Sequence, residues 1–240
     1  MLLNSGQIGL LRQYLTSAPE DEVASRINEL DADQRTPLHW AASTGTSELV
    51  LLLLGNGAEK SLEMKDNSGW TPLMIAASAG NNDAAREFLL RGADPRTTNP
   101  RGLTPLHYAA SKGHADLGRL LLEYGAEVNA RDGAKQVPLH RASSSGQDAF
   151  VKVLLNPPPR KDETAHEKTR INPQDRLGNT PLHLAMDSAN GSTAVLLLEA
   201  GVDRERTNSD GQAPEDIDGV GGQSQQRVRD YVRQAYGPRG

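Results

Sequence analysis

Thr104-Pro105-Leu106-His107-Tyr108-Ala109-Ala110-Ser111-Lys112-Gly113-His114 returns in altered copies on both sides of itself. Aligned on its proline, the chain shows Pro37, Pro72, Pro105, Pro138, Pro181 and Pro214, at intervals of 35, 33, 33, 43 and 33 residues. A segment that recurs at such a spacing marks stacked supersecondary units, each covering its apolar face with the next.

The letters of the unit follow from helix chemistry. Thr104 can cap a helix, and Pro105 at the first helical position has no N–H to leave unsatisfied, so the helix starts there. Leu106, Ala109 and Ala110 form its buried side, with small alanines letting neighbours approach closely. Gly113 ends it. A second helix over Asp116–Tyr124 carries Leu117, Leu120, Leu121 and Leu122 and stops at Gly125, where a left-handed residue is wanted. From Ala126 to Gly133 the chain turns outward as a hairpin. T-P-L-H with a 33-residue period resembles the ankyrin repeat. The resemblance implies an all-α fold, an ankyrin-repeat solenoid of about seven stacked helix-turn-helix repeats with β-hairpin loops, forming a single domain over residues 1–240.

Composition narrows the function classes. The chain has no cysteine, which excludes disulfides, thiol nucleophiles and thiolate metal sites, and fits a cytoplasmic and nuclear location. A net charge of −5 argues against nucleic acid as a partner. No apolar run approaches the roughly 20 residues of a membrane span, and Met1 onward lacks a secretory signal pattern, so no membrane partner is expected.

Residues 1–32 read as a truncated N-terminal cap repeat. Ser5-Gly6 falls at the inter-helix turn, Ile8, Leu10, Leu11, Tyr14 and Leu15 form a second helix, and Met1–Asn4 is all that remains of the first. The natural start is expected upstream, or this end frays. The helix is expected to extend through Val23, Ile27 and Leu30. Residues 33–203 hold repeats two to six. The second opens at Thr36-Pro37-Leu38-His39-Trp40 and has its other helix over Glu48–Leu54, ending at Gly55. The third opens at Thr71-Pro72-Leu73-Met74-Ile75, followed by Asp83–Leu90 and Gly92; Met74 replaces the histidine and removes its hydrogen bond. In the fifth, Val137 cannot cap, a loss of about 1 kcal/mol, and Asp148–Leu155 leads into an insertion at 156–170. Its Pro157-Pro158-Pro159 forbids helix, and its charged remainder reads as a solvated loop projecting from the stack. The sixth repeat opens at Thr180-Pro181-Leu182-His183 and ends near Gly201. Residues 204–240 are a degenerate C-terminal cap. There Gly219-Val220-Gly221-Gly222 reads as flexible linker, and a helix from about Ser224 turns Val228, Tyr231, Val232 and Ala235 to the stack.

No catalytic constellation is present. His39, His107, His140 and His183 occupy one repeat position each and cannot converge on an ion. His114 follows a helix-turn glycine, and His166-Glu167-Lys168-Thr169-Arg170 lacks the second histidine of H-E-x-x-H. Neither G-x-S-x-G nor a phosphate-binding glycine loop occurs in the required context. The expectation is a non-enzyme without cofactor or metal.

Binding chemistry is then expected at positions free of packing duty. Three residues and one residue before the Thr position stand Asp33 and Arg35, Ser68 and Trp70, Arg101 and Leu103, Ala134 and Gln136, Leu177 and Asn179. The position after T-P-L-H reads Trp40, Ile75, Tyr108, Arg141 and Leu184. Exposed aromatics and an arginine are the residue types of protein-binding hot spots. The alternative is that Trp40, Trp70 and Tyr108 pad the groove between repeats.

The repeat openings, R-T-P-L-H-W-A at Arg35, G-W-T-P-L-M-I-A-A-S-A-G at Gly69, T-P-L-H-Y-A-A-S-K at Thr104, P-L-H-R-A at Pro138 and G-N-T-P-L-H-L-A at Gly178, resemble the gankyrin family in order, spacing and variable letters over about Asp33–Val202. The resemblance implies an assembly chaperone of the proteasome regulatory particle. Its concave face would grip the C-terminal domain of a proteasomal AAA ATPase subunit, through Asp33, Arg35, Asp66, Trp70, Tyr108 and Lys112, as a monomer. An acidic first half and a basic middle of the groove would set register on an oppositely charged partner, and reversing Arg35 and Lys112 to Glu should weaken ATPase binding. Animal members carry L-x-C-x-E for retinoblastoma binding; here Leu184-Ala185-Met186-Asp187-Ser188 lacks both Cys and Glu, so that activity is not carried over. The other open reading is a generic ankyrin adaptor or inhibitor of a kinase or transcription factor.

Overall fold

The computed structural model describes residues 5–45, 47–162, 164–217 and 222–237. Among these residues every regular element is helical, with thirteen α-helices, two short 3-10 turns and no strand. They form two compact units, residues 1–100 and 101–240.

In the first unit α1 (Ser5–Ser17) and α2 (Glu20–Arg26) precede two helix pairs. These are α3 (Pro37–Thr44) with α4 (Ser47–Leu54), and α5 (Pro72–Ala79) with α6 (Asn82–Leu90). α3 packs on α5 and α4 on α6. The expected continuous helix through Val23, Ile27 and Leu30 is instead broken, because Pro19 stands at the N-cap of α2 and disfavours helical backbone at Ala18 before it. Val23 and Ile27 are buried while Leu30 is exposed. Met1–Asn4, expected to hold a helix remnant, and Gly219–Gly221 of the expected linker Gly219–Gly222 lie outside the described residues, whereas Gly222 is the first residue of the final helix.

In the second unit α7 (Pro105–Lys112), α9 (Pro138–Ser144) and α11 (Pro181–Asp187) stack as first helices. Alongside them α8 (Ala115–Glu123), α10 (Asp148–Leu155) and α12 (Gly191–Glu199) stack as second helices. The 3-10 turn Pro214–Asp216 and α13 (Gly222–Tyr236) close this unit against α11 and α12. On α13 the side facing the stack is narrower than expected: Val232 and Gln225 are buried, whereas Tyr231 is 54% exposed and Ala235 is also exposed. Gln225 has a packing role because its Nε2 donates to Ile217 O at 2.9 Å.

The helix starts lie where the Thr-Pro pairs put them, the expected hydroxyl cap forms at Thr180, where Oγ1 accepts from His183 N at 3.4 Å, and a further capping partner takes part. Each repeat with a histidine uses that ring as a two-ended connector. Nδ1 of His39, His107, His140 and His183 accepts the backbone N–H of Thr36, Thr104, Val137 and Thr180 at 3.1, 3.2, 3.1 and 3.1 Å. With Nδ1 an acceptor, the ring proton sits on Nε2. From there it donates to the following repeat, to Trp70 O, Gln136 O, Asn179 O and Gln212 O at 3.0, 3.1, 3.0 and 3.0 Å. Val137 therefore starts its helix without a hydroxyl. Met74, fully buried, has no such ring, and Thr71 Oγ1 accepts from Met74 N at 3.3 Å.

The insertion does not project. Lys161 N donates to Glu123 O at 2.8 Å, and its ammonium lies 2.7 Å from Tyr124 Oη and 4.0 Å over that ring. Thr169, buried, donates its hydroxyl to Leu154 O at 2.6 Å, and Asn129 brackets the same stretch through Lys168 O and Arg170 N, both at 2.9 Å. The loop is thus tied back onto the ends of α8 and α10, because these side chains satisfy backbone groups that an outward loop would leave to water.

Packing of second helices depends on Gly118. A Cβ there would meet Phe150, which is fully buried, at 2.5 and 2.6 Å from Cε2 and Cζ. Gly118→Ala is therefore expected to destabilise the protein by about 1–3 kcal/mol through overpacking, outweighing the helix-propensity gain of about 1 kcal/mol. Urea unfolding measures it, and an unchanged or raised midpoint contradicts this account.

Candidate protein-binding surface

The hairpin loops are ordered by one acidic or amide side chain per repeat, five residues before the Thr position. Asp31 Oδ1 accepts the N–H of Asp33 and Arg35, both at 2.9 Å, and Asp66 Oδ1 those of Ser68 and Trp70, both at 2.9 Å. Asp132, Asp175 and Asn208 do the same in the second unit, on Ala134 and Gln136, Leu177 and Asn179, Asp210 and Gln212. Such turns hold the backbone without a β ladder. One backbone bond then joins successive loops: Asn67 N to Asp33 O at 3.0 Å, Gly133 N to Arg101 O at 2.8 Å, Arg176 N to Ala134 O at 2.9 Å and Ser209 N to Leu177 O at 3.0 Å.

The second carboxylate oxygen reaches the variable residues. In the first unit Arg35 Nε donates to Asp66 Oδ2 at 3.0 Å, the guanidinium lies 5.2 Å from the Trp40 ring centroid, and Trp40 Nε1 donates to Asp31 Oδ2 at 2.8 Å. Hydrogen bonds to Arg35 N, Trp40 and Asp33 hold the Asp31 carboxyl below its usual value against some desolvation. The result is a groove of about 410 Å³ to which Arg35, Trp40, Asp66, Ser68, Trp70 and Ile75 all contribute. Six of the twelve sequence-selected residues thus converge on one feature. Trp40 and Trp70 are half-buried, so each indole both packs and lines the groove. Asp33 is exposed at the loop tip. Asp66 was expected as a free acidic contact, but it is 6% exposed, its oxygens being used by the loop N–H groups and Arg35. The acidic first half of the groove is weaker by that charge.

In the second unit Tyr108 is half-buried on α7, Lys112 is exposed in its last turn, and Arg101 is exposed at a loop tip. Arg141, half-buried, forms an ion pair with Asp132. Leu103, selected as a surface contact, is buried at 5% exposure. At the same register Arg35, Gln136 and Asn179 reach across to Asp66, Asp175 and Asn208; leucine has no polar head to do so and goes into the core instead. Among the described residues no group of three or more His, Asp or Glu could hold a metal ion, and no helix is long and apolar enough to cross a membrane.

A family model described as Ankyrin repeats (3 copies) matches residues 3–99 and 74–166, and one for a single Ankyrin repeat matches residues 177–209. The chain belongs to the ankyrin-repeat family. The ankyrin chain is 34% identical over 198 residues to the "Probable 26S proteasome regulatory subunit p28" of Saccharomyces cerevisiae, covering 80% of this chain and 82% of that protein. It is 44% identical over 64 residues to the "26S proteasome non-ATPase regulatory subunit 10" of Dictyostelium discoideum, 27% of each chain. It is also 45% identical over 65 residues to human "Protein phosphatase 1 regulatory subunit 27", 27% of this chain and 41% of that one. The match thus spans less than half of the Dictyostelium and human relatives. Of the Asp and Asn residues that order the loops, the sequence reading singles out Asp66 alone, and as a partner contact, although Asp31, Asp66, Asn99, Asp132, Asp175 and Asn208 keep one register that shows the shared role.

Proposed function

We propose that this ankyrin-repeat protein is a non-catalytic, gankyrin-type assembly chaperone of the proteasome regulatory particle, and that it binds the C-terminal domain of one proteasomal AAA ATPase subunit. It would act as a monomer in the cytoplasm and nucleus. The observation that carries the reading is the likeness to the budding-yeast proteasome subunit, which runs along 80% of the chain. In support, the Arg35, Trp40 and Trp70 groove has the aromatic and guanidinium composition of a binding hot spot, and its polar groups are already oriented by Asp31 and Asp66. Asp33, Ser68, Ile75, Arg101, Tyr108, Lys112 and Arg141 are the remaining contacts we assign; Asp66 acts by holding Arg35.

The test is binding of the purified protein to the isolated C-terminal domain of each proteasomal ATPase subunit. Arg35→Glu would place a carboxylate against buried Asp66, so Trp70→Ala with Lys112→Glu is the cleaner probe. One domain is expected to bind saturably, and the double variant to bind it at least about tenfold more weakly with unchanged helical circular dichroism. If no ATPase domain binds, the proposal fails. A second reading is the generic ankyrin adaptor or inhibitor of a kinase or transcription factor, and the local match to a phosphatase regulatory subunit adds a phosphatase to the partners such an adaptor would have. Binding to the protein phosphatase 1 catalytic subunit, and to no ATPase domain, would support it.

A further inference from the structure

A second surface lies on the loops of residues 101–240 and uses other side chains. Arg131 and Lys135 come from the loop before α9, Arg170 and Arg176 from the loop before α11, and Arg206 from the loop before the 3-10 turn. All five are exposed, and together they line an open groove of about 730 Å³. The carboxylate lining it, Asp175, is 8% exposed, and its oxygens already accept from Leu177 N, Asn179 N and Gln136 Nε2 at 2.9, 2.9 and 3.0 Å. The cations are not neutralised from within. Arg131 and Arg206 donate to Gln174 O and Gln174 Oε1 at 3.4 and 3.5 Å, and Arg176 to Gly133 O, all uncharged acceptors. Arg170 pairs with Glu167 at 2.7 Å, but both groups are more than half exposed and the pair is screened by water. Such a concentration of weakly compensated positive charge stands out in a chain whose net charge is −5.

We infer that this groove is a docking site for an acidic peptide segment of a partner protein. Four of the five cations are arginines, whose planar forks match carboxylates two bonds at a time and have most of their donors unspent here. Their origin in three successive loops spreads the charge along a line, which suits an extended chain of carboxylates better than one small anion. Nucleic acid is disfavoured because the groove has no aromatic side chain on which a base could stack, and because a long polyanion would also meet the acidic remainder of the surface. A short peptide, within a Debye length of about 8 Å at physiological salt, meets the groove alone. The site is independent of the ATPase reading, since its residues sit two, four, six, seven and ten positions before the Thr position of their repeats, whereas that reading uses the residues one and three before it and those on the first helices.

The probe is a fluorescein-labelled octaglutamate peptide, followed by fluorescence anisotropy on the full chain. Saturable binding that weakens with added salt is expected. Arg131→Gln with Arg206→Gln should weaken it at least about tenfold, while Trp70→Ala with Lys112→Glu leaves it unchanged. Lys135→Glu, at an exposed side chain without a described partner, is the second probe should the double variant melt early, and is expected to weaken binding as well. Absence of saturable binding, wild-type affinity in the variants, or tighter binding of a single-stranded oligothymidine of equal charge would each overturn the inference.

Discussion

Asp132→Ala should destabilise the protein by about 3–5 kcal/mol, near the largest effect a single surface-loop substitution can have. Asp132 is 7% exposed and does three things at once: Oδ1 takes the N–H of Ala134 at 2.9 Å and of Gln136 at 2.8 Å, and Oδ2 pairs with Arg141. Burial opposes its ionisation, yet the Arg141 bond and the Gln136 N–H hold its carboxyl below the usual value, so the charged form is the one the fold uses. Alanine would strand two loop donors, each costing about 1–3 kcal/mol, and leave the Arg141 guanidinium without its counter-charge. Because the Arg141 side chain is 27% exposed, water recovers part of that last loss and the total stays near the lower end of the range. Asp132→Asn is the control. It keeps the Oδ1 acceptor and loses only the charge, as Asn208 does naturally with Asp210 N and Gln212 N at 3.0 Å, and should cost about 1 kcal/mol. Urea unfolding of the three proteins decides it; an alanine variant within 1 kcal/mol of wild type would show that the loop holds itself without the carboxylate.

The same residue shows what a sequence conceals. Helix starts were legible because Thr-Pro restricts local backbone whatever surrounds it, and the convergence of Trp40 and Trp70 followed from their repeat register. The structural role of Asp66, expected as a partner contact, and of Asp132, which carries no expectation, is hidden because nothing local says that two N–H groups will fold back over Oδ1. Leu103 was read as surface by register alone; register gives the direction of a side chain, and the side chain's own chemistry decides whether it stays in water. The insertion was read as projecting from its prolines and charges, whereas its path depends on distant partners: Asn129, Glu123 and Leu154 O bind it from outside the segment. Pro19 carried a local signal, a helix break, that the apolar spacing of Val23, Ile27 and Leu30 obscured.

Acid should weaken the protein between about pH 6.5 and 4, beginning well above the range in which ordinary carboxylates titrate. The cause is the histidine ladder. Desolvation lowers the pKa of His39, His107, His140 and His183, and for His107 it brings the value down to about 4 against a partial opposing effect of the Gln136 carbonyl and Asp132. In the folded chain each Nδ1 already accepts a backbone N–H, so a second ring proton has no place without breaking that bond. In the unfolded chain the rings titrate near 6.5. Between the two values the unfolded state binds more protons, so the free energy of unfolding falls as pH falls: stability is full above about pH 6.5 and is lost down to the folded value. His107 alone accounts for roughly 3 kcal/mol, at 1.36 kcal/mol per pKa unit. Urea midpoints at pH 7.5, 5.5 and 4.5 should therefore decline steadily, and His107→Gln, less stable at neutral pH, should decline less steeply. A wild-type midpoint unchanged between pH 7.5 and 4.5 would mean that the rings take up a second proton as readily in the fold as in the unfolded chain, and that Nδ1 is not held as the acceptor of the helix-start N–H.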